Sequence, residues 1–201
     1  MRYKIITSLL VLALVISLGF NVYSYLAMVD KQKMINNIRS EMILAWAMEM
    51  DIAGYYLKNA TTNVDVTHVI EKQTYGVRSL LLDAYFIVEA GYQRRGEYEF
   101  YEPLMEASLL VAGNLIPYSV DAPTIVRHIN PTAVEMFGIL AEKIWNVTDI
   151  IWSEGYALGS PNGVNPVKVL EEKGILDDIV DGCTDIFLYS NQIRDFDQKF
   201  Q

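Results

Sequence analysis

Residues 5–28 read IITSLLVLALVISLGFNVYSYLAM, a run of 24 residues without a charged side chain, and Arg2 and Lys4 precede it. About 20 apolar residues in a helix are enough to cross the hydrocarbon core of a bilayer. A secretory signal peptide has the same basic start but a shorter apolar core of about 7–15 residues. The stretch therefore predicts a membrane anchor or a cleaved signal, and its length favours the anchor.

Two further features bear on this choice. Ser17-Leu18-Gly19 resembles the small-residue cleavage site of a signal peptide, which keeps that interpretation open. Apolar residues continue past it, however, and Tyr23 and Tyr25 stand where aromatic side chains are enriched at membrane–water interfaces. We expect residues 1–29 to form the anchor and residues 30–201 to form a separate body.

The orientation of the anchor is predicted from its flanking charges. Arg2 and Lys4 favour a cytoplasmic N-terminus, whereas Lys31, Lys33 and Arg39 favour the reverse, because basic residues are retained on the cytoplasmic side. A very short tail before the apolar run is typical of a protein whose body is translocated. We therefore expect a single-pass membrane protein with its body on the extracytoplasmic side.

The body is strongly acidic. It holds all 25 acidic residues of the chain but 14 of the 16 basic ones, which gives it a net charge of −11. This balance argues against a nucleic-acid partner, which would need a basic surface, and against broad contact with anionic lipid. With Cys183 as the single cysteine, no intrachain disulfide can form.

The body shows helical periodicity almost throughout and nearly no strand signals. We predict an all-α fold, in which the N-terminal transmembrane helix leads into an elongated antiparallel bundle of four to five helices. The first bundle helix has no proline and is expected to continue directly out of the membrane. The predicted helices cover residues 30–60, 67–95, 97–117 (firmly from Pro103), 131–156, and 166 to near the C-terminus.

The first, fourth and fifth of these helices carry further positional signals. The apolar face predicted for the first consists of Met34, Ile35, Ile38, Met42, Ala45, Trp46, Ile52 and Tyr56. Asn130-Pro131 and Asn165-Pro166 each predict a helix start, with Asn as the cap and Pro at the first helical position.

An up-and-down path gathers aromatic residues at one end of the bundle. If the first helix leaves the membrane, the second returns, and both the turn after it and the end of the fourth helix are membrane-proximal. Aromatic rings there would suit the membrane interface, and the alternative is ordinary core and helix-end packing. With Tyr23 and Tyr25, the candidate interface residues are Tyr92, Tyr98, Phe100, Tyr101, Trp152 and Tyr156.

The sequence has few histidines and cysteines that could take part in catalysis or bind a metal, and we predict no catalytic, cofactor-binding or metal site. His68 and His128 lack the second ligands that a zinc or di-iron site needs. Cys183 falls on an apolar helical stripe, where a thiol is usually inert. The Asn59-Ala-Thr61 sequence matches an N-glycosylation site in a predicted exposed turn.

Two acidic features of the sequence, a pair of glutamates and a single one, have ordinary explanations. Glu102 and Glu106, four residues apart, are typical of a solvated acidic face rather than a calcium site. Glu49 follows a long apolar run, so it would need a partner such as Arg78 if it faced the core. The polar side of the helix is its more usual place.

Two functions remain open on this basis. The first is a non-enzymatic, membrane-anchored bundle that acts through protein contacts or self-association, as a scaffold, assembly factor or accessory subunit. The second is a small-molecule-binding or sensory ectodomain with a pocket between helices. The aromatic residues that would line such a pocket are Trp46, Tyr75, Tyr85, Trp145 and Trp152.

Overall fold

The computed structural model describes residues 2–62, 76–89, 98–115, 131–158 and 164–199, and every regular element in these ranges is a helix. The prediction of an all-α bundle with a long apolar helix at its N-terminus is confirmed. The helices are α1 Arg2–Thr62, α2 residues 76–89, α3 Tyr98–Asn114, α4 Pro131–Ser153, α5 Gly155–Leu158, α6 Pro166–Glu172 and α7 Leu176–Gln198.

Helix α1 is one uninterrupted element of 61 residues, about 90 Å long. It confirms that the apolar stretch and the first bundle helix are continuous, since the helix has no break at the boundary between residues 29 and 30. Every residue from 6 to 28 is exposed, and the first buried residue of the helix is Asn36. The apolar segment therefore projects from the bundle and takes no part in its core.

The core of the bundle is formed mainly by side chains of α1, α2, α3, α4 and α7. Helix α1 packs against α4, and two pairs set their register: the backbone of Gly155 lies near Leu44, and Lys58 forms an ion pair with Glu142. From the first pair to the second, the residue number on α1 rises from 44 to 58 while that of the facing residue falls from 155 to 142. The helices α1 and α4 are therefore antiparallel. Helix α7 packs against both α4 and α3.

Two helix boundaries differ from the predictions. Helix α3 begins at Tyr98, which puts Pro103 inside the helix and not in its first turn. Near the start of a helix the missing proline N–H costs one hydrogen bond, and burial of Phe100 and Leu104 offsets that loss. The fourth predicted helix is divided at Glu154, where α4 ends and the short α5 begins.

The fifth predicted helix is two helices. Asn165 caps α6 as predicted, since its side-chain oxygen accepts a hydrogen bond of 3.1 Å from the backbone N–H of Val167. After about two turns of helix the chain enters a left-handed turn at Gly174, with φ of 71°. The N–H groups of Gly174 and Ile175 bond back to the carbonyls of Glu171 and Leu170, which closes a Schellman motif.

A polar cluster marks the end of the bundle nearest the apolar segment. The Asn36 side-chain oxygen accepts hydrogen bonds from Gln32 and Arg39, and the Ser40 hydroxyl donates to the Asn36 carbonyl. Asn36, Arg39 and Ser40 are all buried. Because a buried polar group is costly without partners, these bonds within α1 satisfy polar side chains that the bundle buries.

A second polar cluster joins α3 to α7. The Asn114 amide donates to the Ser190 hydroxyl at 2.7 Å and to Asn191 at 3.1 Å. Arg194 donates to the Asn114 side-chain oxygen at 3.0 Å and also bonds to Asp195. The two helices are therefore held together at this level by directional contacts as well as by apolar packing.

Candidate functional site

The candidate interface aromatics do not form one group. Tyr23 and Tyr25 are exposed on the apolar part of α1, whereas Phe100 and Tyr101 are buried in the core. Phe100 and Tyr101 therefore pack as core residues, which is the alternative to an interfacial role that the sequence left open. Tyr92 lies outside the described residues.

The end of α4 lies well away from the apolar segment. Tyr98 begins α3 and Tyr156 belongs to α5, next to the exposed Trp152. Because Gly155 faces Leu44, Trp152 lies about one turn higher, roughly 28 Å along α1 from Met28. A membrane interface that contains Tyr23 and Tyr25 therefore does not reach Trp152 along an upright α1.

The aromatic residues proposed for a ligand pocket are dispersed as well. Trp46 is buried in the core, and Trp145 lies over Gly54 and donates a hydrogen bond of 3.3 Å to the Asp51 carbonyl. Trp152 is exposed on α4, and Tyr85 lines an open groove against α3. Tyr75 falls outside the described residues, and the groove that Tyr85 lines includes none of the three tryptophans.

The open groove between α2 and α3 has a volume of about 250 Å³. Its lining combines the predicted acidic pair with apolar side chains: Tyr85, Glu102, Met105, Glu106, Leu109 and Leu110. Glu102 and Glu106 are exposed, in keeping with a solvated acidic face. Within the described ranges, no three His, Cys, Asp or Glu side chains come together in a way that would hold a metal ion.

The remaining residues considered for catalysis, metal binding or modification are a cysteine, an asparagine and two histidines. Cys183 is fully buried, and burial raises the pKa of its thiol, which disfavours the reactive thiolate. Asn59 lies half-buried near the C-terminal end of α1, so the prediction that it occupies an exposed turn is wrong. His68 and His128 lie outside the described residues.

Glu49 faces the neighbouring helix α2, where an acidic residue approaches it. Partial burial raises the pKa of Glu49, and the nearby negative charge of Asp83 raises it further. Asp51 behaves similarly, because burial and the charge of Asp149 raise its pKa, against a hydrogen bond from Thr148 that lowers it. The ionised form of each carboxylate therefore destabilises the packing of α1 against its neighbours.

Helix α1 has two apolar faces in the bundle, and the single apolar face predicted from the sequence contains residues of both. The inner face packs into the bundle through Ile43, Trp46, Ala47, Met50 and Leu57. The opposite face remains exposed, and it includes Met34, Ile38, Ile52 and Tyr56 from the predicted core-facing set. The prediction that those four side chains face the core is therefore wrong.

We call five residues of this opposite face the outer stripe, and Tyr56, which is 39% exposed, lies beside it. The members of the outer stripe and their exposed fractions are Met34 58%, Ile38 37%, Met48 46%, Ile52 36% and Tyr55 59%. These residues are separated by four, ten, four and three positions, which fits a repeat of seven residues. That repeat was the signal that could have separated the outer stripe from the core-facing residues.

Comparison with protein-family models, with curated proteins and with solved structures finds no match for this chain. The functional conclusion therefore depends on the surfaces of the chain itself. The outer stripe is the strongest candidate, because exposed apolar side chains in a row on one helix are unusual without a covering partner.

Proposed function

We propose that this chain is a membrane-anchored, non-catalytic helical bundle that acts through protein–protein contacts, as a scaffold, assembly factor or accessory subunit. The outer stripe of α1 is its contact surface. The observation that carries the proposal is that exposed apolar residues of α1 continue beyond the apolar segment, along the stripe from Met34 to Tyr55.

The membrane anchor is supported by the exposure of the apolar segment. In the described part of the chain, α1 is the one helix long and apolar enough to cross a membrane, a test that an N-terminal signal sequence also passes. Leu14 and Phe20 are each more than two-thirds exposed. Apolar surface in water costs about 25 cal/mol per Å², so lipid is the environment that stabilises residues 6–28.

Lipid does not cover the outer stripe in this arrangement. Met48 lies 20 residues beyond Met28 in the same helix, which is about 30 Å along its axis. An α1 that crosses the bilayer upright carries Met48, Ile52 and Tyr55 into water. A protein surface is then the covering that removes these side chains from water.

Variants that introduce negative charge test this surface. We expect the double change Met48→Glu and Ile52→Glu to abolish the crosslinked species that the full-length chain forms in its native membranes. Leu188→Glu is the matched control, because Leu188 is 51% exposed on α7, away from the stripe. Crosslinking that persists in the double variant, with the bundle folded by circular dichroism, would contradict the proposed contact surface.

We also propose that the bundle lies on the extracytoplasmic side, as Arg2 and Lys4 predict. A single cysteine at the exposed Leu188 reports this directly. In intact cells it should react with a membrane-impermeant maleimide, whereas Cys183 is buried and should not. Labelling of that cysteine only after the cells are opened would reverse the orientation.

A further inference from the structure

We infer that the partner on the outer stripe is a second copy of this chain, paired through α1 as a parallel, in-register, two-stranded coiled coil. The inference rests on the proposed contact surface and names its occupant.

The spacing of the stripe is that of a coiled-coil seam. Helices supercoil around each other when apolar residues alternate at steps of three and four. From Met34 to Tyr55 the positions in this series are 34, 38, 41, 45, 48, 52 and 55, and Ala45 fills one of the gaps in the stripe. All of these positions lie on the side of α1 that faces away from α4 and the core.

The same series continues into the apolar segment without a change of phase. Counting back from Met34 in steps of three and four gives positions 31, 27, 24, 20, 17 and 13. Four of these are small residues, Ala13, Ser17, Ser24 and Ala27. Helices in membranes associate through small residues because their backbones can then approach closely. The part of the seam above the apolar segment, from Met34 to Tyr55, spans about three heptads, the length at which a heptad pattern begins to indicate a coiled coil.

The anchor itself supplies the geometry that such a pairing needs. Two copies inserted in one membrane have their α1 helices parallel and at the same height. Each seam residue of one copy then meets the same residue of the other, which is the self-complementary contact of a two-fold dimer. In a partner of another sequence, the residues opposite the seam positions of α1 need not be apolar. The seam side chains from Met34 to Tyr55 are exposed except for the half-buried Ala45, so they are accessible to a second copy without rearrangement of the bundle.

Two features oppose the pairing and help to define it. Lys31 and Glu41 both occupy seam positions, where each meets the same charge in the second copy, and such charged core positions weaken a coiled coil while restricting how the strands align. The net charge of −11 on each body repels its neighbour over about 8 Å at physiological salt. Added salt should therefore strengthen this dimer, whereas it would weaken the binding of a basic partner.

A cysteine scan tests the inference on the full-length chain in neutral lipid vesicles. Single cysteines replace Ile38, Met48 or Ile52 on the seam, and Ile139 or Leu188, which are 48% and 51% exposed, at control sites. The native Cys183 stays in place because its thiol is buried. After mild oxidation we expect disulfide-linked dimer at the three seam sites, at least fivefold above either control.

Three results would overturn the second-copy inference. The first is equal crosslinking at seam and control sites, and the second is a dimer that weakens as salt is added. The third is a Glu41→Leu variant with no increase in dimer, because removal of that charge should strengthen an in-register seam.

The same seam cysteines, crosslinked in native membranes, separate this inference from the proposed function. An adduct of about twice the 22.8 kDa chain supports the second copy. An adduct of another mass removes the second copy but keeps the proposed contact surface. The absence of any adduct at seam sites contradicts both.

Discussion

Two glycines set the closest helix contacts in the bundle. A Cβ atom added to Gly54 would lie 2.8 Å from Nε1 of Trp145, and one added to Gly182 would overlap the side chain of Val147. Neither neighbour is a flexible chain end, since Trp145 is hydrogen-bonded to Asp51. These positions therefore limit how closely α4 can approach α1 and α7.

Gly182→Ala is expected to destabilise the protein by about 1–3 kcal/mol, because an extra methyl group in a tightly packed contact forces the helices apart. Gly113→Ala is the matched control. Gly113 is an exposed helical glycine whose added Cβ meets nothing within 4 Å, so it should gain up to about 1 kcal/mol. Urea unfolding of both variants measures the difference, and equal shifts of the same sign would contradict the close approach of α4 and α7.

Glu49 gives the bundle a defined pH dependence. Its pKa in the folded state is raised from an ordinary value near 4.5, so the folded chain holds this proton more tightly than the unfolded chain. The resulting penalty is absent at low pH and develops as the pH rises from about 4.5 through the folded-state pKa.

We therefore expect Glu49→Gln to stabilise the protein at pH 7 by about 0.5 kcal/mol, since the site is partly solvated. At pH 3.5 the substitution should have little effect, because Glu49 is then protonated in both states. Thermal unfolding at the two pH values measures this, with Glu135→Gln on the exposed side of α4 as control. A stabilisation that is equal at both pH values would show that charge is not its cause.

At the scale of a single element, the break at Gly174 separates α6 from α7. Gly174→Ala should cost about 1 kcal/mol, because a side chain is disfavoured at φ of 71° although the space around it is open. Gly174→Asn should cost less, since Asn tolerates the left-handed region. Chemical denaturation of both variants measures the order, and an unaffected alanine variant would show that the turn is not required.

The sequence predicted where α6 begins but not where it ends. Asn165 and Pro166 carry their own local signal, a cap and a pre-set φ, and the structure uses both. Gly174 is also a common helix-ending residue, but apolar periodicity continues on both sides of it. The break follows from a backbone conformation at one residue, which a pattern of side chains does not record.

The two faces of α1 show a similar limit. Residues such as Trp46 and Ile52 both fit an apolar helical pattern, yet one is buried and the other exposed. Helical periodicity places residues on faces, but it does not say which face meets the bundle and which remains free. Packing of α4 against α1 decides this, and that packing depends on Gly54 and Trp145 together.

At the scale of the whole molecule, the apolar segment and the bundle share one continuous helix, but the segment adds nothing to the core that stabilises the bundle. Residues 6–28 contribute no buried side chain to the core. Deletion of residues 1–29 should therefore leave a helical bundle that unfolds cooperatively with a Tm within about 2 °C of the full chain in detergent. A large loss of stability would mean that the apolar segment supports the fold.

The central claim is that residues 6–28 anchor the bundle in a membrane as the uncleaved start of α1. The most direct measurement is alkaline extraction of native membranes, with mass determination of the chain in each fraction. The account predicts the intact 22.8 kDa chain in the lipid fraction, with Tyr3 still present. A shorter chain that starts near Phe20 and is recovered in the soluble fraction would contradict it.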